Sequence, residues 1–151
     1  MDIFNSVDEI LDFAIKAEQD AVDFYTDLSK SMAHLEMQSV FIEFAQEEVK
    51  HKAKLIKVKE ENIFELSEEK IADLKIADYT VIVRPNPEMS YQDALILAMN
   101  KEKAAFKLYT KLSTKTDDSN IKSLFQSLAI EESKHKLRFE LEYDEFILKE
   151  N

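Results

Sequence analysis

Two nearly identical pentapeptides contain two of the three histidines of this acidic chain. EEVKH occupies Glu47 to His51 and EESKH occupies Glu131 to His135, so two of only three histidines follow a glutamate three residues back. Residues three apart share one face of a helix, so each pair could present a carboxylate and an imidazole to one metal ion. Because Asp and Glu make up 31 of 151 residues, a single pair could arise by chance. Only a longer repeat around both copies would argue against chance.

Such a repeat exists. The shift of 84 positions that carries His51 onto His135 also matches residue types well outside the pentapeptides. The earlier matches are Leu11, Ala14, Glu18, Ala21, Tyr25 and Leu28 with Leu95, Ala98, Glu102, Ala105, Tyr109 and Leu112. They step by three and four, the spacing of a helix face that points into a bundle. The sequence therefore contains two copies of one helical hairpin. The ionisable residues at inward positions are Glu18, Glu48, His51, Glu102, Glu132 and His135.

The spacing also predicts their height along the bundle. Glu18 lies 30 positions before Glu48, and the second copy repeats this separation. Antiparallel helices that bring each pair side by side must turn near residues 33 and 117, where SKSMAHLEM and STKTDDSN contain residues suited to turns. Each pair of carboxylates then lies at about the same height, so four carboxylates converge in the core.

The composition agrees with long helices. The chain has no glycine and two prolines, and 34% of its residues are charged, which favours helix. We predict an all-α four-helix bundle in one domain, residues 1–151, with helices at about 7–31, 35–63, 91–114 and 119–148. Ser90 and Ser67 are the expected N-caps of the third long helix and of a short helix in the connection. A crossover at about 64–89 joins the two antiparallel hairpins and can run the length of the bundle.

The buried carboxylates determine the chemistry of the predicted site. Four ionised glutamates in one layer of the core would be prohibitively costly without a positive partner, and no lysine or arginine occupies the inward positions near them. Protons or two divalent metal ions could supply the charge. Oxygen ligands with a minority of nitrogen favour iron or manganese over calcium or structural zinc. We expect Glu48 and Glu132 to bridge two ions, Glu18 and Glu102 to bind terminally, and His51 and His135 to bind one ion each.

Four further residues are candidates to support these ligands. Tyr25 and Tyr109 lie two helical turns after the first glutamate of each copy, where their hydroxyls can reach a carboxylate across the core; ordinary core aromatics are the alternative. Glu47 and Glu131 are candidates to orient the imidazole of the opposite hairpin, with solvated surface charge as the alternative. His34 is expected in a turn or on the surface. The aromatic residues expected in the core are Phe13, Phe24, Phe41, Phe44, Phe106 and Phe125.

The charge and the cysteine content oppose several functions. A net charge of −11 disfavours binding to nucleic acid or to an anionic membrane, and no apolar run approaches the roughly 18 residues of a membrane span. Without cysteine these residues contain no disulfide and no Cys-bound zinc or iron–sulfur centre. The segment MDIFNSVDEI lacks the features of a signal peptide, and we expect a cytoplasmic protein.

These motifs together resemble the ferritin-like di-iron carboxylate superfamily, in particular its rubrerythrin and erythrin branch. That superfamily places one Glu on each of two helices and Glu-x-x-His on each of the other two, which is the arrangement found between about residues 7 and 148. The resemblance implies that the six inward residues bind two iron ions per chain, with manganese as the other candidate. It also implies that Tyr25 supports a ligand and that the protein reduces peroxide or dioxygen.

Three features known from this superfamily are missing. Ala105 stands where rubrerythrins carry a further carboxylate, and that ligand is tied to their peroxidase chemistry. No Cys-rich rubredoxin domain accompanies the bundle, so an external rubredoxin-like donor is expected to supply electrons. The fifth helix of cage-forming ferritins is absent too, and we expect a homodimer.

Several functions are compatible with these residues. The leading hypothesis is a non-haem di-iron oxidoreductase that reduces peroxide or dioxygen. The alternatives are an iron-binding, ferroxidase or iron-storage protein, a di-manganese protein that decomposes peroxide, and a non-catalytic bundle.

Overall fold

Four long helices form most of the chain. The computed structural model describes residues 3–31 and 35–150. In it, α1 spans Val7–Ser31, α2 Leu35–Glu61, α3 Glu68–Ala72, α4 Tyr91–Lys115 and α5 Ser119–Glu150, and a 3₁₀ helix spans Ile76–Tyr79. α1 packs along α2 and α4 packs along α5. The predicted all-α four-helix bundle of two antiparallel hairpins joined by a crossover is confirmed. Among the described residues, no helix has the length and apolar character needed to cross a membrane.

The ends of the first hairpin differ slightly from the prediction. α2 ends at Glu61 rather than at residue 63, because Asn62 adopts a left-handed backbone conformation with φ of 53°. Asparagine tolerates this conformation better than most residues, and it commonly terminates a helix. The turn predicted near residue 33, together with His34, lies outside the described residues.

Side-chain caps start the later helices. Ser90 accepts a hydrogen bond from the Asp93 amide at 3.1 Å and caps α4, as its position predicts. Ser67 caps α3 in the same way by accepting from the Lys70 amide. Asp118 accepts from two amides in the first turn of α5, at 2.9 and 3.0 Å. Each cap satisfies amides that have no partner within the helix.

Two apolar clusters fill the bundle, one on each side of a polar layer. The first is built around Leu112 and Phe125, and the second around Leu95 and Phe139. On every long helix, the ionisable inward residues lie between the segments that form these clusters. The polar layer is therefore closed by packed hydrocarbon at both ends.

The aromatic residues occupy the core with one clear exception. Phe24, Phe41, Phe44 and Phe125 are buried, and Phe13 is partly buried. The prediction that Phe106 lies in the core is wrong, because 38% of its surface is exposed. Ala105 occupies the inward position of this turn of α4, and the next residue is rotated by about 100° around the helix axis. Phe106 therefore points away from the core.

The crossover between the hairpins, residues 62–90, is anchored by buried side chains. The Phe64 ring meets the Phe125 ring edge-on, with centroids 5.1 Å apart, and Ile71, Leu74 and Tyr79 are buried. The stretch 80–86 has no regular secondary structure. Residues of this stretch face α1 and α4 across an open space.

Replacing Ser90 by alanine should destabilise the bundle by about 1 kcal/mol, because the cap of α4 loses its acceptor. Urea unfolding followed by circular dichroism measures this change. Ser127→Ala is the matched control: Ser127 is exposed within α5, so its replacement should be neutral or slightly stabilising. Equal losses in the two variants would contradict the capping role of Ser90.

Candidate metal centre

Six ionisable side chains form the polar layer between the two apolar clusters. Each is at most 3% exposed, and together they come from all four long helices. The residues are Glu18, Glu48, His51, Glu102, Glu132 and His135. The layer therefore unites all the residues that the sequence predicts as metal ligands.

The six side chains form two overlapping groups of four. Within each group, one potential ligand atom from every residue lies within 4.8 Å of the others. The first group is Glu18, Glu48, His51 and Glu132, and the second is Glu48, Glu102, Glu132 and His135. Glu48 and Glu132 belong to both groups, which is the position that bridging carboxylates need. Their role as ligands stays a prediction.

Each imidazole is oriented by a carboxylate of the opposite hairpin. His51 Nε2 donates a hydrogen bond to Glu131, and His135 Nε2 donates one to Glu47 at 2.9 Å. An ionised carboxylate can only accept, so Nε2 carries the hydrogen. In a neutral imidazole, Nδ1 then carries the lone pair and faces the centre. Glu47 and Glu131 thus contact the rings that the sequence suggested.

Two tyrosines hold the terminal glutamates across the core. The Tyr25 hydroxyl donates to Glu102 Oε1, and the Tyr109 hydroxyl donates to Glu18 Oε1. Burial, followed by repulsion from nearby glutamates, raises the pKa of both tyrosines. The hydroxyls therefore stay protonated and remain donors, and they fix the glutamates in orientation. Both tyrosines thus occupy the supporting positions that their spacing suggested.

The unpartnered polar atoms of the layer show whether its residues suit metal ions. Among the described residues, the buried side-chain atoms without a hydrogen-bond partner are Glu18 Oε2, Glu48 Oε1, His51 Nδ1, Glu102 Oε2, Glu132 Oε1 and His135 Nδ1. His51 Nδ1 lies 2.8 Å from Glu132 Oε1, but the approach lacks the direction of a hydrogen bond. Buried polar atoms without partners are rare and costly. Six of them, one from each side chain and of types that bind iron or manganese, fit a di-metal site.

Without metal, the layer holds extra protons. Burial is the main cause that raises the pKa of Glu48 to about 8, and repulsion from Glu102 and Glu18 adds to it. The pKa of Glu132 is raised by the same causes. Burial lowers the pKa of an imidazole, but the nearby carboxylates of Glu18 and Glu48 outweigh it, and the pKa of His51 rises to about 11. Protons thus replace part of the missing positive charge.

One contact in the layer differs between the two halves of the repeat. The Phe44 ring stacks on the His135 ring, with centroids 3.9 Å apart and planes at 20°. Phe44 was expected only as a core residue, and its contact with an imidazole was missed. The signal was present in the sequence, because the repeat aligns Phe44 with Leu128. A side chain that differs between otherwise matching halves identifies where the two halves are packed differently.

A cavity of about 440 Å³ extends from the layer between α1 and α4. Glu18 and Glu102 lie at its inner end, and Ala105 is part of its wall. The alanine that replaces an expected carboxylate therefore borders open space instead of adding a ligand. No pattern in the sequence indicated this cavity, because part of its wall is made by the crossover.

The comparisons with known proteins agree with this geometry. The sequence model of the rubrerythrin family, described as rubrerythrin, matches residues 9–143, which contain the whole layer. The chain belongs to the rubrerythrin family. Among solved structures, a ferritin-like diiron-carboxylate protein from Thermotoga maritima is similar with a TM-score of 0.75 at 21% identity, over 93% of this chain and 95% of that chain. This likeness shows that the ferritin-like fold is shared. No curated protein matches the chain.

The metal-free rubrerythrin bundle should lose stability as pH rises. Glu48, His51 and His135 all have a pKa in the folded protein above the ordinary value: about 8 against 4.5, about 11 against 6.5, and about 9 against 6.5. The folded protein therefore binds more protons than the unfolded chain. Each contribution is complete below the ordinary pKa and is lost as pH rises through the folded-state pKa. All three contributions to the stability of the folded protein therefore decrease as pH rises from 6.5 to 8.

Urea unfolding of the metal-free protein at pH 6.5, 7.25 and about 8 tests this expectation. The free energy of unfolding should fall by at most about 1.4 kcal/mol per pH unit for each extra proton held. Saturating manganous ion should abolish the fall, because metal binding requires deprotonated ligands. A flat profile without metal would contradict the raised pKa values.

Replacing Glu47 by glutamine should weaken metal binding about 10- to 100-fold, because the carboxylate that orients His135 loses its charge. Competition between the protein and a chelator for manganous ion measures the affinity. Glu43→Gln is the matched control, since Glu43 is exposed one turn earlier on α2 and should keep the original affinity. Equal affinities in both variants would show that Glu47 is only a surface charge.

Proposed function

We propose that this protein is a non-haem di-iron oxidoreductase that reduces peroxide or dioxygen. The observation that carries the proposal is the set of six buried, unpartnered ligand atoms in two groups that share Glu48 and Glu132. Two divalent ions would balance the charge of four carboxylates, and iron suits this mixture of oxygen and nitrogen atoms. Membership of the rubrerythrin family supports the same choice.

The residues of the chain would hold this centre in a defined geometry. Two ferrous ions held by these six residues would supply the two electrons needed to reduce an O–O bond. Tyr25 and Tyr109 restrain one oxygen of each terminal glutamate and leave the other directed at the centre. The carboxylates of Glu47 and Glu131 keep each Nε2 protonated and each Nδ1 free to bind. The apolar clusters close the layer at both ends, and the cavity between α1 and α4 leaves a route for a small oxidant.

The proposed reaction also needs a source of electrons. Reduction of one peroxide to two waters consumes two electrons and two protons, so the centre must be reduced again after each turnover. The chain contains no cysteine and hence no Cys-bound redox centre. We therefore propose a donor whose redox centre lies outside these residues, with a rubredoxin-like protein as the candidate.

Ferroxidation for iron uptake is the second candidate function. Asp20, Asp23 and Asp27 line the cavity that leads to the layer, and acidic side chains along such a path attract ferrous ion. Size and metal content separate the two functions. A homodimer with two irons per chain supports the oxidoreductase, whereas a large shell that fills with iron supports storage. Metal analysis of protein from native cells separates iron from manganese.

Anaerobic loading with ferrous ion followed by peroxide or air tests the leading proposal. We expect ferric absorbance that saturates at two irons per chain. Glu48→Ala should abolish it, because both groups of four lose a shared carboxylate, while Glu43→Ala on the same helix should retain it. No ferric absorbance in the original protein would refute the di-iron proposal. Full ferric absorbance in Glu48→Ala would show that iron is oxidised outside this layer, and the bundle itself would then be non-catalytic.

A further inference from the structure

The cavity between α1 and α4 is larger than a small oxidant requires. Its volume of about 440 Å³ lies within the range of roughly 300–1,000 Å³ that is typical of pockets for small organic molecules. Peroxide or dioxygen would fill only a small part of it. Because its inner end is formed by Glu18 and Glu102, a molecule in this space would lie next to the metal layer.

Small side chains on two helices create the space. Ala14, Ala17 and Ala21 line it on α1, and Ala104 and Ala105 line it on α4. α1 and α4 make few contacts with each other compared with the contacts inside each hairpin, so they leave a gap. The rings of Phe13, Phe24 and Tyr79 complete the apolar part of the wall. Such a wall favours a hydrocarbon body.

Some of the charged side chains that line the cavity have partners within the described residues, and others do not. Lys16 forms an ion pair with Asp20 at 3.1 Å, and Asp23 accepts a hydrogen bond from Gln19 at 2.9 Å. Asp27 is exposed to water and needs no other partner.

Two cationic side chains in the lining, Lys101 and Arg84, lack such partners in the part of the chain that the structure describes. Lys101 is partly buried, and its amine lies 5.4 Å from the centre of the Phe24 ring. Asp20 attracts this amine without contacting it, and Arg84 of the crossover, which is exposed to water, lines the same cavity. Within residues 3–31 and 35–150, neither cation forms a hydrogen bond or an ion pair with a protein side chain. Lys101 is partly buried and has no carboxylate of the described residues in direct contact, so it gains most from an anionic ligand, and the exposed Arg84 adds positive charge to the same cavity.

We propose that this cavity binds a small amphipathic carboxylate, with its apolar body against the alanines and phenylalanines and its carboxylate at Lys101 and Arg84. The placement accounts for both the size of the cavity and its unpaired cations. It concerns binding alone and does not depend on the redox function proposed for the metal layer. The bound molecule would lie beside the ligand residues without replacing any of them.

Calorimetric titration of the metal-containing protein with octanoate tests the proposal. Octanoate should bind saturably at one molecule per chain, and 1-octanol should bind about tenfold more weakly because it lacks the charge that pairs with the cations. Octylamine should bind more weakly than octanoate, although Asp23 and Asp27 also line the cavity and can attract its ammonium group. Equal binding of octanoate and octylamine, or no binding of octanoate, would overturn the proposal.

Two substitutions locate the binding site. Lys101→Met should weaken octanoate binding about tenfold and leave 1-octanol binding unchanged, whereas Lys103→Met, on an exposed residue of the same helix, should change neither. Octanoate binding that is unaffected in Lys101→Met would show that Lys101 does not pair with the carboxylate and would overturn the assignment.

The second substitution fills the cavity. Ala104→Phe should abolish binding of both octanoate and 1-octanol, while Ala53→Phe, at an exposed position of α2, should retain it. Metal content and melting temperature, measured on each variant, separate a blocked cavity from a damaged centre. Binding that persists in a folded, metal-loaded Ala104→Phe variant would place the ligand elsewhere and refute the proposal.

Discussion

Four carboxylates share one layer of an apolar core, and the rest of the structure depends on how their charge is compensated. Glu48 and Glu132 are each 1% exposed, so bulk water screens them little and cations or protons must offset most of the repulsion. Hydrocarbon above and below the layer strengthens every interaction within it, because the local dielectric is low. The same burial that makes the unfilled layer costly would make bound metal ions effective in stabilising the fold.

The contacts around this layer also join the two halves of the bundle. Each hairpin is held internally by packing of its own two helices, whereas α1 and α4 touch each other little. The hydrogen bonds that support the ligand residues, in contrast, connect one hairpin to the other. Tyr25 and Glu131 each form a hydrogen bond with a residue of the other hairpin. The residues that match them in the repeat form the equivalent hydrogen bonds. The polar layer therefore both binds the proposed ions and fixes the relative position of the hairpins.

The repeat explains how much of this could be predicted. A spacing of three and four residues, present twice with the same separation between Glu18 and Glu48 as in the second copy, determines both which side chains face inward and how far along the bundle they lie. The end of α2 was harder to predict, because the helix stops where the single residue Asn62 takes a left-handed conformation. The outward position of Phe106 was missed because an aromatic residue next to the inward face has a strong hydrophobic signal of its own. Its direction depends on one step of helix rotation.

The features that the repeat does not explain lie where the two halves differ. The crossover has no counterpart in the repeat, yet Tyr79 and Val81 help to enclose the cavity beside α1 and α4. Phe44 likewise stacks on one imidazole, and the matching position holds Leu128. A symmetric pair of hairpins suffices to bring six ligand residues together, but it would offer equivalent surroundings to both ions. The unrepeated segment encloses space beside α1 and α4, and Glu18 and Glu102, one from each half of the repeat, both border that space. Any selectivity for a small molecule there must therefore come from residues outside the repeated ligand set.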